Sequence, residues 1–298
     1  MRQVICPVCK TPPNFSHSPY SICDCSTCGV RWTFLPKEIQ WEELYRDEVY
    51  AVVDNRTSIF EKIIFSEARK VLRQAQSLFP QANRLLDFGS GKGQFLAVAN
   101  AMGWKGLGIE TEAERAKFAR EKYGVEVLTS LYSQGKIENG NFDLITLNHV
   151  LEHLPAPIEL LKQLTNDNLA KGGILYLEVP RADSWQAKIA GNQWMHWDIP
   201  KHLSHWTAQS LIDQLKQLGF SKAGIRSFSV HLGVLGMLQA LMSLFGFKEN
   251  LILRLKRKKS VGLLMGIAML LPFALLLELL SVAFGKSGIM GIYWRKDG

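Results

Sequence analysis

No internal repeat and no low-complexity tract interrupts the 298 residues, which excludes a solenoid, a propeller and a mucin-like or collagen-like chain. Cysteine is sparse, and four of the five lie in two C-x2-C pairs. That pattern excludes a secreted disulfide framework and leads us to expect a reducing, cytosolic compartment. The Met1 start lacks the charged-then-apolar pattern of a signal peptide. A broad basic surface is missing as well. The formal charge is +8, but +5 of it falls in 248–259, where Lys248, Arg254, Lys256, Arg257, Lys258 and Lys259 stand against Glu249 alone. Nucleic-acid binding would want basic side chains and aromatics spread over a groove. A local run beside apolar segments is instead drawn to anionic head groups, at about 1 kcal/mol per basic side chain.

What is present begins with length. The chain is long enough to bury one core of about 200 residues and carry a small module at either end. Its hydrophobic content of 47% is high for a soluble enzyme, with the excess mostly after Val230. At the other end, Cys6-Pro-Val-Cys9 and Cys25-Ser-Thr-Cys28-Gly29 are fifteen residues apart. This spacing lets two turns present four thiolates at the corners of a tetrahedron, so Cys6, Cys9, Cys25 and Cys28 are expected to hold a structural Zn²⁺ in a ribbon. Cys23 is a register alternative to Cys25, and the Cys28-Gly29 ending favours the latter.

Between the ends the periodicity alternates. Helices are expected over 41–50 and 58–79, the second with Ile59, Ile63, Ile64, Ala68, Val71, Leu72 and Leu78 on one stripe. Strands are expected over 84–88, 105–109, 125–128, 142–147, 173–179 and 220–228. Helices over 92–102, 111–122, 156–170 and 207–218 separate them. Alternation of this kind predicts an α/β fold with a parallel sheet covered on both faces. From Asp183 to Thr207 the periodicity disappears and Trp185, Trp194, Trp197 and Trp206 gather, half of the chain's eight. The segment reads as a binding loop or lid, or as a loop pinned to the core by its indoles.

The middle of the chain is organised around Arg84 to Gly93, R-L-L-D-F-G-S-G-K-G. An apolar strand ends in Asp87, and Gly89, Gly91 and Gly93 permit a turn that a Cβ would obstruct. Glu110, 21 residues past Gly89, ends the next strand, where a carboxylate accepts bonds from ribose hydroxyls. A dinucleotide site wants G-x-G-x-x-G, yet Gln94 stands where the third glycine would fall. Asp87-Phe88-Gly89-Ser90-Gly91-Lys92-Gly93 instead resembles the first motif of the class I S-adenosylmethionine-dependent methyltransferases. Phe142-Asp143-Leu144-Ile145 with Asn148-His149-Val150-Leu151-Glu152-His153-Leu154 is similar to that family's fourth-strand motif. Leu169 to Leu175 resembles its turn into the fifth strand, and Pro200-Lys201-His202-Leu203 with Trp206-Thr207 a segment of one bacterial branch. The resemblance covers about 140 residues. It implies a Rossmann-like seven-stranded sheet and a cofactor site of Asp87, Gly89, Ser90, Gly91, Gly93, Glu110 and Asn148. The adenine contact is the weak point, since Val127-Leu128-Thr129-Ser130 offers only hydroxyls. A base is needed only for a protonated acceptor, and His202, His149 and His153 are the candidates, with His205 behind them. As metal ligands, His149 and His153 want a third convergent group that the sequence does not point to.

Ser229 to Phe247 and Val261 to Phe284 are each of about membrane-spanning length. Ile289 to Trp294 then reads as the last strand, antiparallel to its neighbours in the resembling family. Both ends of the apolar insertion then lie on one side of a membrane, so a hairpin dipping into one leaflet or lying at the interface is expected. Pro272 and Glu278 argue against a plain spanning helix. The expected division is a zinc ribbon (1–35), a helical cap (36–80), the methyltransferase domain (81–230), an apolar membrane-associating hairpin (231–286) and the final strand and tail (287–298). The whole reads as a methyltransferase at the inner face of the cell membrane, acting on a hydrophobic, lipid-linked or sugar acceptor, with O-methylation in cell-surface glycan synthesis favoured. An rRNA-modifying enzyme and a non-catalytic cofactor-binding module are the alternatives.

Overall fold

The computed structural model describes residues 2–13, 21–38, 54, 56–129, 136–137, 140–257 and 260–296. The helix expected over 41–50 lies outside them, as do Ser130, Lys258 and Lys259.

The chain begins with a hairpin of β1 (Ile22–Asp24) and β2 (Arg31–Thr33), followed by α1 (Ile59–Leu78). Ser58 starts that helix by accepting from the Glu61 amide at 3.1 Å. The alternating core comprises β3 (Arg84–Phe88), α2 (Gln94–Ala101), β4 (Lys105–Glu110), α3 (Ala113–Tyr123), β5 (Glu126–Thr129), β6 (Phe142–Asn148), α4 (Pro157–Asn168) and β7 (Leu169–Pro180). Next come α5 (Trp185–Ala190), the short β8 (Ser204–His205), α6 (Ala208–Gln217) and β9 (Phe220–Arg226). A single π turn, Val230–Val234, leads into α7 (Leu235–Ser243), α8 (Leu251–Arg257), α9 (Val261–Ala283) and β10 (Ile289–Lys296).

Seven strands form one sheet in the order β5-β4-β3-β6-β7-β10-β9. The pairings from β5 to β7 are parallel, while β10 runs antiparallel to both β7 and β9. Strand periodicity sorts the core into two layers. Leu86, Ile145, Leu175 and Leu177 face one side with Leu161 and Leu164 of α4 and Leu211 and Leu215 of α6. Their neighbours Leu85, Leu144, Ile174 and Tyr176 face the other, against Val71 and Leu72 of α1, Leu96 of α2 and Ala116 and Ala119 of α3. This is a Rossmann-like α/β fold with helices on both faces. The expected strands fall within a few residues of those observed. β7 starts earlier than expected, at Leu169, because Phe142 of β6 pairs with it across a bulge.

Two expectations are corrected. The segment 183–207 is not an aperiodic loop: it holds α5, two 3₁₀ turns (Gly191–Gln193 and Met195–Trp197) and β8. Its indoles pin it, Trp194 packing edge-on against Trp197, Trp197 against His205, and Trp185 stacking on Phe284. The first apolar stretch is likewise not one spanning-length element. It breaks into the π turn and α7, which is largely buried. Only α9, with 23 residues, is long and apolar enough to cross a membrane among the described residues.

Candidate functional site

The turn after β3 is built on its glycines. Gly89, Gly91 and Gly93 have φ of 75°, 53° and 78°, the left-handed region where a side chain is strained. A Cβ on Gly89 would also meet Val150 at 2.4 Å, and one on Gly93 would meet Ala119 and Val125 at 2.7 and 2.8 Å. Gly91 has nothing within 4 Å of that position, so its outer side is an open cradle. Beside it the Ser90 hydroxyl is buried with no hydrogen-bond partner. Glu110, at the end of β4, is buried and oriented by the Gly91 and Glu112 amides at 2.7 and 2.9 Å. Oε1 also accepts from the Thr111 hydroxyl at 3.5 Å, so Oε2 is the oxygen that retains a lone pair for a ligand hydroxyl. Asp87 lies below, its Oδ1 accepting from Thr146 Oγ1 at 2.7 Å and Asn148 Nδ2 at 3.3 Å. The open cradle, the orphaned hydroxyl and the paired acid fit an S-adenosylmethionine molecule with its carboxylate at the amides and its ribose at Glu110. All seven residues expected for the cofactor stand at or next to this turn. The Thr129 hydroxyl accepts from Arg120 Nη1 at 3.0 Å.

The histidines gather at the end of β6. His149 turns the chain there with φ of 54° and lies between two carboxylates, its Nδ1 3.5 Å from Glu152 and its Nε2 3.2 Å from Glu178. Burial pulls its pKa down, but the Glu152 and Glu178 carboxylates together outweigh it and carry the value up to about 9. His149 is therefore a cation at neutral pH and offers no lone pair for a base. His153 is neutral: burial, then the charge of His202, push it down to about 4. Its Nδ1 lies 3.2 Å from the Lys201 carbonyl, and His202 Nδ1 lies 2.8 Å from the His196 carbonyl. The two rings meet edge to face at 4.5 Å. Ligand atoms of Glu152, His153 and His202 all fall within 4.8 Å of one another. Glu152 and His202 supply the convergence that a metal reading of His149 and His153 wanted, with His149 left out of the set. Sequence reasoning missed Glu152, because its role depends on a loop that returns only at His202.

The ribbon joins this site. The sulfurs of Cys6, Cys9, Cys25 and Cys28 lie within 4.8 Å of one another, a donor set compatible with zinc. Cys23 is instead buried in β1, opposite Trp32. β2 is the centre of a second sheet, β1-β2-β8, and so pairs the ribbon with the strand that follows His202.

Comparison with known proteins agrees with this fold. A family model described as methyltransferase domain matches residues 60–223. Among solved structures, a possible histamine N-methyltransferase from Thermotoga maritima is 16% identical with a TM-score of 0.53, over 87% of this chain and 100% of its own. A SAM-dependent methyltransferase from Archaeoglobus fulgidus is 19% identical with a TM-score of 0.49, over 82% of this chain and 100% of its own. At 16% identity the Thermotoga structure speaks for the fold alone. No curated protein matches the sequence.

Proposed function

The chain belongs to the methyltransferase domain family, and on that premise we propose that it methylates an oxygen of a hydrophobic or lipid-linked acceptor at the cytoplasmic face of the membrane. A sugar carried on a lipid, as in cell-surface glycan synthesis, is the acceptor class that fits best. Bound S-adenosylmethionine brings a methyl group already activated on its sulfonium. The protein's part is alignment, which alone removes much of the barrier. Gly89, Ser90, Gly91 and Gly93 receive the methionine end, Glu110 the ribose, and Asp87 with Asn148 supports the turn from below. His153 and His202 are the residues able to take up an acceptor's proton, while His149 acts as a fixed charge. The four-cysteine ribbon is a structural zinc site.

The observation that carries the membrane part is α9. Leu263, Ile267, Leu270 and Leu277 pack against α7, and Ala274, Glu278 and Ser281 are buried. Glu278 docks the helix, accepting from Gln186 Nε2 at 2.8 Å and the Gly288 amide at 3.0 Å. With the rotation so set, Leu264, Met265, Met269, Leu271, Phe273 and Leu276 stay exposed. An apolar face of this extent, on the helix that follows the basic run of 248–259 in the sequence, supports binding to a lipid surface. The test is co-sedimentation with vesicles of neutral and anionic phospholipid, together with labelled methyl transfer into a total-lipid extract and into total RNA. The intact protein should sediment with anionic vesicles and label lipid. Replacing Met265, Met269, Phe273 and Leu276 by Glu should abolish sedimentation while the fold persists. An intact protein that stays in the supernatant, or that labels RNA alone, overturns the reading.

A further inference from the structure

The cluster of Glu152, His153 and His202 has the construction of a metal site rather than of a hydrogen-bonded base. A carbonyl oxygen can only accept, so the bonds to Lys201 O and His196 O place the ring proton of His153 and His202 on Nδ1. Nε2 is thereby the nitrogen each ring can turn toward a metal, and that of His202 also lies 4.0 Å from Asp198 Oδ2. A backbone carbonyl behind the second ring nitrogen is what orients metal-bound imidazoles and selects their tautomer. Glu152 is 1% exposed, and neither of its oxygens accepts a hydrogen bond. Its nearest charged neighbour is His149 Nδ1, at 3.5 Å from Oε1. Buried carboxylates are otherwise almost always hydrogen-bonded, whereas this one is balanced only by the histidines around it. The two segments are also tied to each other, the Leu203 amide donating to Glu152 O at 2.7 Å.

We propose that Glu152, His153 and His202 bind one divalent first-row transition metal through two imidazole nitrogens and one carboxylate oxygen, separately from the four-cysteine ribbon. The set matches borderline cations such as Zn²⁺, Mn²⁺, Fe²⁺ and Co²⁺, whereas Mg²⁺ and Ca²⁺ favour oxygen alone. Three protein ligands leave coordination positions open. Those positions suit an acceptor with one or two oxygens to offer, such as a hydroxyl or a pair of neighbouring hydroxyls, and a hydroxyl held there becomes more acidic. The acceptor's role rests on the methyl-transfer reading; the metal site does not.

The test uses Co²⁺ as the probe, added to full-length protein freed of metal under reducing conditions. Two equivalents should bind. The ribbon's equivalent announces itself by intense thiolate-to-cobalt charge-transfer bands, and the second adds only weak visible absorption from nitrogen and oxygen ligands. Glu152→Gln and His202→Gln should each weaken the second equivalent at least tenfold, with the charge-transfer bands and the thermal melting transition unchanged. Those bands show that a variant is folded, so loss of all cobalt marks a failed fold, and the milder His153→Gln then reports in its place. A single equivalent in the intact protein, or a second equivalent that survives all three substitutions, overturns the proposal. Stoichiometry is read without turnover, so failure of the methyl-transfer reading would leave it standing.

Discussion

Asp87 has almost no access to water, and burial dominates its behaviour. The bonds from Thr146 and Asn148 hold its pKa down, the nearby Glu110 charge adds to the rise, and the carboxyl ends at about 7. In the unfolded chain the same group titrates near pH 4. Below that pH both states hold the proton and nothing is lost. Between about pH 4 and 7 only the unfolded state releases it, so stability falls as pH rises, by about 1.4 kcal/mol for each pH unit, and the loss is complete above 7. In Asp87→Asn the amide oxygen keeps the two bonds and there is no proton to lose. Its stability relative to the parent should therefore rise from pH 4 to 7 and then level off. Urea denaturation at pH 5 and pH 8 measures this, and parallel pH profiles for the two proteins would refute it.

At the scale of elements, the ribbon and the histidine segment behave as one unit through β2 and β8. The Thr33 amide donates to Leu203 O at 3.0 Å and its hydroxyl to His202 O at 2.6 Å. With that hydroxyl proton used, the His205 Nε2 contact at 2.9 Å requires His205 to donate. Thr33→Val keeps the shape and strands both buried partners, at about 1–3 kcal/mol. We expect faster hydrogen exchange at the amides of 203–206 and unchanged exchange in β3; equal exchange throughout would uncouple the two elements. The same elements mark where the sequence stops being informative. β3, β6 and β10 are legible as short, mostly apolar runs, and α6 by its helical period, because those signals are local. β1, β2 and β8 have two or three residues each, too short for any period, and exist only through pairing with distant chain. The order of 183–207 comes from indole contacts within the segment and from Trp185 on the remote Phe284, none of which leaves a period in the sequence. Of the site, the glycine turn and Glu110 are legible from spacing, whereas the convergence of Glu152 with His202 is a property of the folded chain.

Across the whole molecule, one series of paired ionisable side chains connects the histidine cluster to the apolar hairpin. His149 at the end of β6 pairs with Glu178 on β7, and Glu178 with Arg226 on β9. Arg226 reaches Glu67 on α1 at 3.5 Å, and Glu67 holds His231, in the π turn that opens the hairpin. The Val230 amide donates to Glu67 as well. None of these charges was legible as a partner, since they lie on five elements that meet only in the fold. Arg226 is the hinge of the series. Burial is the largest single influence on it and would lower its pKa, but Glu178, Tyr176 and Glu67 together more than offset that, and its guanidinium is the main charge holding Glu178 well below the ordinary carboxylate range. Arg226→Met preserves much of the side-chain volume and leaves two carboxylates facing each other in a buried space. Breaking a buried pair from one side costs about 3–5 kcal/mol. The penalty should shrink toward pH 4, where the stranded carboxylates take up protons and stop repelling. Adding Glu178→Gln to Arg226→Met should recover part of the loss at neutral pH. Urea denaturation of the parent, the single and the double variants at pH 7 and pH 4.5 decides the matter. A loss independent of pH, with no recovery in the double variant, would mean that Arg226 acts by packing and that the charges do not tie the hairpin to the site.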